Sequence, residues 1–235
     1  MEELGLEDFE ADGELWNVVN LSDAKVAGRV DAEYFQPKYG KLLAQLKKSR
    51  ARSLSELVTM KKGIEPGSEA YSEEGKLFIR VSSVSKFGLS GKDQKHISEK
   101  LYKELKDAYA PKVGEILLTK DATPGVAYVL KEPIEGVISG GILRLSVSKE
   151  IDPEYLALCI NSMIGQSQVE RDAGGSIIKH WKPSQVQEMV IPVLPKAKQE
   201  KIADLVKQSH EARKKAKELL EQAKQKVENL IEVKS

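Results

Sequence analysis

Apolar positions fall into two regimes along the chain. From Arg29 to Pro195 they form short runs broken by Gly, Pro and Ser, the rhythm of a globular body built from mixed strands and short helices. From Ala197 to Val233 they recur at spacings of three and four, at Ile202, Leu205, Ala212, Ala216, Leu219, Ala223, Val227 and Leu230, with Ser209 in the gap. No Pro or Gly interrupts this segment, so it predicts one helix of roughly 35 residues, about 50 Å long. Its narrow stripe is a seam against another helix, and a helix this long with one apolar face needs a partner. Pro192 and Pro195 lack backbone donors and push their neighbours towards extended backbone, which marks the join. The division is a lead-in over 1–28, a globular domain over 29–195 and a helix over 196–235, an α/β (α+β) architecture.

Within the body, Tyr34, Phe35 and Tyr39 read as a lead-in packed onto the core, ahead of a short amphipathic helix using Leu42, Leu43 and Leu46. Ser53-Leu54-Ser55-Glu56 has capping-box spacing, which starts a helix near Leu54. Gly63 to Gly75 is loop-like, and Leu77 to Val81 follows as a buried strand with one charge. Ser98 caps a helix carrying Leu101, Tyr102 and Leu105. Gly114 to Val129 reads as strand, tight turn at Pro124-Gly125, and strand. Further strands, Val137–Ser139 and Ile142–Val147, flank Gly140-Gly141. Asp152, Pro153 and Glu154 open a helix as cap, first-turn residue and dipole partner. Its stripe is Leu156, Cys159, Ile160 and Met163, and it runs with a wobble at Gly165 to about Asp172. A strand-like Ile177-Ile178, a short helix from Pro183-Ser184 and the apolar run Met189–Ile191 complete the body.

Composition narrows the class. At 235 residues the chain can bury one substantial core. The single cysteine, Cys159, rules out an internal disulfide and fits a reducing compartment. No apolar run is long enough to span a membrane, and the acidic N-terminus has no secretory pattern, so a cytoplasmic address and no membrane partner are expected. The net charge of +1 hides a division. Residues 1–40 hold 10 acidic and 3 basic side chains, whereas residues 41–120 hold 17 basic and 10 acidic. A basic middle permits phosphate binding, because affinity depends on Lys and Arg sharing one surface rather than on total charge. A solvated Lys/Glu surface is the alternative.

Candidate chemistry is of the binding kind. Lys86, Lys92, Lys95, His96 and Lys100 gather around a loop with Gly88 and Gly91, where Gly removes bulk and Lys supplies phosphate charge; a plain surface loop is the other reading. Lys120 and Asp121 end a strand, positioned either to meet bases or simply to terminate it. Lys179-His180-Trp181-Lys182 is a polar-aromatic turn suited to phosphate or base-edge contact, unless Trp181 anchors it to the core. No phosphate-binding Gly loop is present, and His96, His180 and His210 lie far apart, so neither a nucleotide nor a metal site is expected. The Glu-x-Lys matches at Glu74-Gly75-Lys76 and Glu104-Leu105-Lys106 are at chance level in so Lys/Glu-rich a chain. Asp152-Pro153-Glu154-Tyr155 lacks the second Pro of an adenine-methyltransferase motif and is accounted for by capping. No catalytic constellation is assigned.

Gly174 to Ala203, GGSIIKHWKPSQVQEMVIPVLPKAKQEKIA, resembles the segment that closes the target-recognition domain in DNA-specificity (S) subunits of type I restriction-modification systems. There a Gly-Ser strand, a short helix and an Ile-Pro-Leu-Pro-Pro-like run lead into Gln-x-x-Ile-Ala at the start of a spacer helix. Here Ile191-Pro192-Val193-Leu194-Pro195 is one residue off, and Gln199, Ile202 and Ala203 match. Arg29 to Tyr39, RVDAEYFQPKY, is similar to the signature preceding that domain, and Leu4-Gly5-Leu6 to the end of a preceding spacer. Phe78 to Val84 resembles an Ile-Arg-(Ile/Val)-x-(Asp/Ser)-Ile segment that includes Arg80, Ser82 and Ser83. Gly114 to Val129 is similar to a family hairpin, with Glu115 in place of Asp and Ala122 where Gly is common.

The resemblance implies a non-catalytic subunit that reads one half of a bipartite site in double-stranded DNA. With the residues singled out above, the candidates for DNA contact are Arg80, Ser82, Ser83, Lys86, Lys92, Lys95, His96, Lys120, Asp121, Lys179, His180 and Trp181. It also implies a spacer helix that docks modification subunits, which carry S-adenosylmethionine, and through them the restriction subunit; this chain itself holds no cofactor. Full-length S subunits have two recognition domains and two spacers, whereas this chain has one of each. A homodimer with seams antiparallel, joined through Ile202, Leu205, Ala212, Ala216, Leu219, Ala223, Val227 and Leu230, would restore the pair and read an inverted repeat. Two alternatives remain: a recognition module from a larger methyltransferase-nuclease, or a coiled-coil interaction protein without DNA binding.

Overall fold

Two four-stranded sheets stand back to back, and the computed structural model describes residues 16–91, 94–174 and 178–232 of them and their surroundings. The first sheet is fully antiparallel, in the order Val58–Lys62, Ile142–Val147, Ile116–Thr119, Ala127–Val129. The second runs Gly136–Ile138, Lys76–Ile79, Lys95–Ile97, Tyr71–Ser72, with the first pair parallel and the others antiparallel. Ile116, Leu118, Leu143 and Leu145 face the main core with Leu156, Ile160, Val186 and Ile191, while Leu117 and Ile142 face a second core with Ile79 and Ile138. Both faces of the first sheet are therefore covered, which is why its central strands read as continuous apolar runs instead of alternating. Arg144 is the one cation there; its guanidinium meets Glu115 at 3.1 Å and donates to the Ala108 and Ala110 carbonyls at the end of the helix Glu99–Tyr109. Glu115 also accepts from Ser146 Oγ at 2.7 Å and from the Lys112 amide at 2.8 Å, so the longer acid in place of Asp is fully partnered.

The lead-in has a defined mechanical task. Arg29 pairs with Asp31 at 2.7 Å and donates to the Asp172 carbonyl at 3.2 Å, closing the C-terminus of the helix Met163–Asp172. Tyr34 lies between the Arg29 and Arg171 guanidiniums, 4.8 and 5.2 Å from its ring centre. The Arg29–Tyr39 string thus staples the helix Pro37–Lys48 onto the body, where Leu42 and Leu46 pack on Ile164. A short helix, Leu21–Ala27, precedes it and was not expected from the pattern.

The long helix, Lys196–Glu232, is anchored at one end only. Gln199 is buried and accepts from the Asp152 amide at 2.9 Å while donating to the Leu194 carbonyl at 2.8 Å and the Glu150 carbonyl at 3.2 Å. It ties the helix start to the N-cap of the helix Pro153–Asn161, whose Tyr155 hydroxyl holds the Pro192 carbonyl at 2.9 Å. Ala203 is fully buried, and Ile202 packs against the main core. From Glu211 to Ile231 every residue is exposed.

Several local expectations are corrected. The capping box at Ser53 does not form: its hydroxyl meets Ser55, Glu56 pairs with Arg52, and the helix is the single turn Leu54–Leu57. The strand of residues 76–79 ends before Arg80 because Val81–Ser83 coil into a 3-10 turn. The expected helix over 152–172 is two helices, broken at Ser162 rather than bent at Gly165. Ser162 closes the first by donating to the Cys159 carbonyl at 2.8 Å and opens the second by accepting from the Ile164 amide. That break turns Met163 outward, 36% exposed, instead of into the stripe. Leu4-Gly5-Leu6, Lys92 and Ile177 lie outside the described residues.

Candidate nucleic-acid interface

Five segments distant in sequence meet at one loop-rich rim where the two sheets adjoin. The Ile64 carbonyl accepts from the Gly140 amide at 2.9 Å, and the Ile79 carbonyl from the Ser139 amide at 2.8 Å. The Gly141 carbonyl then takes the Lys120 amide at 2.9 Å, the Lys120 carbonyl the Trp181 amide at 2.8 Å, and the Lys179 carbonyl the Ala122 amide at 2.9 Å. Gly141 lets these segments approach: a Cβ there would come within 2.7 Å of Val81 Cγ2, so the valine would have to shift. Glu65, Ser82, Asp121, Lys179 and His180 are brought to the rim by these backbone bonds, so its geometry is set by rigid strand ends, which favours defined side-chain placement.

The centre of the rim is an Asp–His pair. Asp121 Oδ1 lies 2.8 Å from His180 Nδ1, and the Lys120 ammonium binds its other oxygen. Burial raises the Asp121 pKa, but the hydrogen bonds from Lys120 and His180 outweigh it and hold the carboxyl below its ordinary range. An ionised Asp121 accepts a hydrogen bond from His180 Nδ1–H, which leaves Nε2 of a side chain 62% exposed as an acceptor, or a donor where the ring carries a second proton. Ala122 next to it has φ of 59°, a left-handed conformation that an L side chain adopts at a cost. This is the position at which Gly is common in the resembling hairpin, and the backbone explains why.

The expected contact residues separate into groups. Asp121, Lys179, His180 and Ser82 share the rim, the last three exposed. Arg80 caps the turn Val81–Ser83 beside them and is half-buried. Lys95 is exposed at the register position of Phe78, two residues from Arg80, with His96 half-buried beside Leu77. Four of the nominated residues are placed otherwise. Trp181 is fully buried and fills the main core, so it anchors the turn instead of offering a stacking surface. Ser83 and Lys120 are 6% and 8% exposed, too covered to reach a duplex, and Lys120 acts through Asp121. Lys86 sits elsewhere, on the hairpin Val84–Leu89 leaning towards the long helix. Sequence reasoning missed Glu65 and noted Ala122 only as a departure from Gly; the signals were the Gly63/Gly67 bracket around Glu65 and the substituted Gly at 122. Among the described residues no group of three His, Cys, Asp or Glu side chains is arranged to hold a metal ion, and no helix is long and apolar enough to cross a membrane.

This is a mixed α/β domain with a woven loop rim and a helix projecting from it. The chain belongs to the type I restriction modification DNA specificity domain family, whose model matches residues 47–229. Among solved structures it is similar to the type IIG restriction endonuclease BpuSI (TM-score 0.54, 8% identity, 80% of this chain and 30% of that one), which speaks for the fold. It also matches the S subunit of a type I restriction-modification system from M. genitalium (0.48, 17%, 66% and 37%). A third match is the HsdS subunit from Thermoanaerobacter tengcongensis (0.48, 18%, 71% and 39%). The chain spans only 30 to 39% of the length of these three proteins. No curated protein matches it.

Proposed function

We propose that this chain is a sequence-reading subunit of a type I restriction-modification complex, in which the Asp121–His180 rim enters one half of a bipartite DNA site. The observation that carries this reading is family membership over residues 47–229, most of the chain and inclusive of every rim segment. Exposed His180, Lys179 and Ser82 offer hydrogen bonds to base edges, and Lys95 offers charge to phosphate, the division by which proteins specify and position on a duplex. The subunit has no catalytic role; methylation belongs to modification subunits that carry S-adenosylmethionine and dock on the long helix, and the restriction subunit joins through them. Two copies pair through that helix.

The test is to co-express the chain with its modification subunit in a methylation-free host and map N6-methyladenine by sequencing. A palindromic split motif is expected from two identical halves. A non-palindromic split motif would mean that a second, different half is present, and no new methylation would sink the reading. Within that complex, Lys95→Ala should weaken binding to all duplexes alike and lower the salt dependence by about one unit of slope; a loss confined to one base position would contradict the phosphate role. A second reading, that the chain is the recognition part of a longer methyltransferase-nuclease, is favoured by the fold shared with a type IIG enzyme. Methylation by this chain without any separate modification subunit would select it.

A further inference from the structure

A cavity of about 380 Å³ opens between the Phe87 hairpin, the edge strand Ala127–Val129, the helix Pro153–Asn161 and the first turns of the long helix. Its volume alone would suit a small ligand, but two of its polar lining residues, Asn161 and Glu154, are already partnered. Asn161 donates to the Ala127 carbonyl at 2.7 Å and accepts the Ala127 amide at 3.0 Å, and Glu154 pairs with Lys131 at 3.2 Å. What faces the opening is apolar: Leu158 is 41% exposed and Leu205 66%, with Ile202, Val206 and Phe87 around them. Phe87 is fixed there by the Arg213 guanidinium, 3.9 Å from its ring centre, and by the His210 ring.

The missing wall has a counterpart on the same helix. Leu219, Leu220, Val227 and Leu230 are all more than half exposed. With Leu220 taking the place of Leu219, which falls opposite Arg213, an antiparallel copy aligns the rest of the seam: Leu230 meets Ile202, Val227 meets Leu205, Ala223 meets Ser209, Leu220 meets Ala212, and Ala216 meets its own copy. The small residues fall at the centre, where two backbones must approach most closely. Charge selects the same direction. Residues 196–217 carry eight Lys or Arg against three Asp or Glu, whereas residues 218–232 carry two against four. An antiparallel partner sets the basic half on the acidic half, and a parallel one sets like on like.

We propose that this cavity is a socket for the Ala223–Leu230 segment of a second copy's helix, in an antiparallel register whose two-fold axis passes Ala216. The proposal rests on the homodimer in the reading above and adds to it: the recognition body of one copy, through Phe87 and Leu158, grips the helix end of the other, so the two bodies are held against the paired helices and not merely tethered to them.

Cysteine cross-linking of the full chain tests it, because the native Cys159 is buried and its thiol is pushed up to about 12 by that burial, leaving introduced thiols as the reactive ones. Under mild oxidation Ala216→Cys should form a disulfide with its own copy, Leu230→Cys alone should not, and a mixture of Ile202→Cys with Leu230→Cys chains should cross-link. Leu158→Glu, at a partly exposed position, should weaken the dimer about tenfold or more in sedimentation while leaving the fold intact by circular dichroism. A Leu230→Cys self-disulfide would show a parallel pair and overturn the proposal. A dimer without the Ala216 cross-link would overturn the register and socket while sparing the homodimer. A strictly monomeric chain, alone and with modification subunits, would overturn both. If Leu158→Glu abolishes binding of the modification subunit but leaves the dimer unchanged, the socket belongs to that subunit and the proposal fails.

Discussion

The globular body and the long helix are held by opposite means. In the body, the first sheet is covered on both faces and its one buried cation, Arg144, is matched by Glu115 and two helix-end carbonyls. The helix is tied at its start, through Gln199, Ile202 and Ala203, with Arg213 over Phe87 and Lys214 beside Glu132 a little further on, and from residue 211 to 231 every residue is exposed. The body's stability is internal, whereas most of the helix's apolar stripe is exposed, and its pairing is the proposal made above. Substitutions in the first region should therefore read out as unfolding, and those in the second as lost association with unfolding unchanged.

The sharpest way to break that contrast is inside one turn. Trp181 is fully buried and its neighbour His180 is exposed. Trp181→Ala should cost about 3–5 kcal/mol, the range for a large aromatic removed from a packed core, measured by urea denaturation. His180→Ala should change stability by no more than about 0.5 kcal/mol while impairing DNA binding. Trp181→Phe should recover most of the loss, since among the described residues the indole N–H has no acceptor to forfeit. If Trp181→Ala were as mild as His180→Ala, the turn would not be anchored as described.

The next largest effect tests the tie between the regions. Gln199→Ala strands the Asp152 amide and the Glu150 and Leu194 carbonyls, and leaving buried polar groups unpaired costs about 1–3 kcal/mol. The loss should appear as a lower melting temperature together with faster proteolysis near residue 196. Cleavage without any drop in melting temperature would mean that the helix start is uncoupled from the body.

Those two residues show where sequence was legible. The long period after Pro195, the paired apolar runs around Gly140-Gly141 and the Asp152 cap each rest on local chemistry, and each appears in the structure. Gln199 was matched only as part of a motif; nothing in its neighbours announces three bonds reaching back as far as Glu150. The rim was half legible. Asp121 and His180 were each singled out, but their 2.8 Å pairing depends on a weave across 59 residues that no local pattern encodes. Trp181 was nominated for DNA contact with its polar neighbours Lys179, His180 and Lys182, and the other reading of the sequence, that it anchors the turn to the core, is the one its burial supports. The capping box at Ser53 failed because Arg52 captures Glu56 first.

A smaller effect lies in the hairpin turn beside Asp121. Ala122 holds φ of 59°, a left-handed geometry costing an L residue roughly 1–2 kcal/mol. Glycine removes that cost and adds back part of it as unfolded-chain entropy. Ala122→Gly should thus raise stability by up to about 1 kcal/mol, read as a higher urea midpoint. A decrease would mean that the turn relaxes to another geometry.

The smallest expected effect concerns pH, and it bears on the rim alone. Asp121 titrates below its ordinary range because its bonds to Lys120 and His180 outweigh the penalty of burial. A carboxyl depressed in the folded state contributes stability that is present above its unfolded pKa and is lost as pH falls through the lower folded value. The window therefore opens near pH 4 and extends downward. Solvent reaches about a quarter of the Asp121 side chain and screens the pair, so the contribution is modest. The comparison of interest is between wild type and Asp121→Asn: the urea midpoints should differ at pH 7 and converge as pH drops below 4, because only the wild type loses an ionised partner there. A gap that stays constant to low pH would show that Asp121 acts in the turn through its shape and not its charge. His180 would then be oriented by the backbone bridge to Gly174, and the rim's outward Nε2 would not depend on the carboxylate at all.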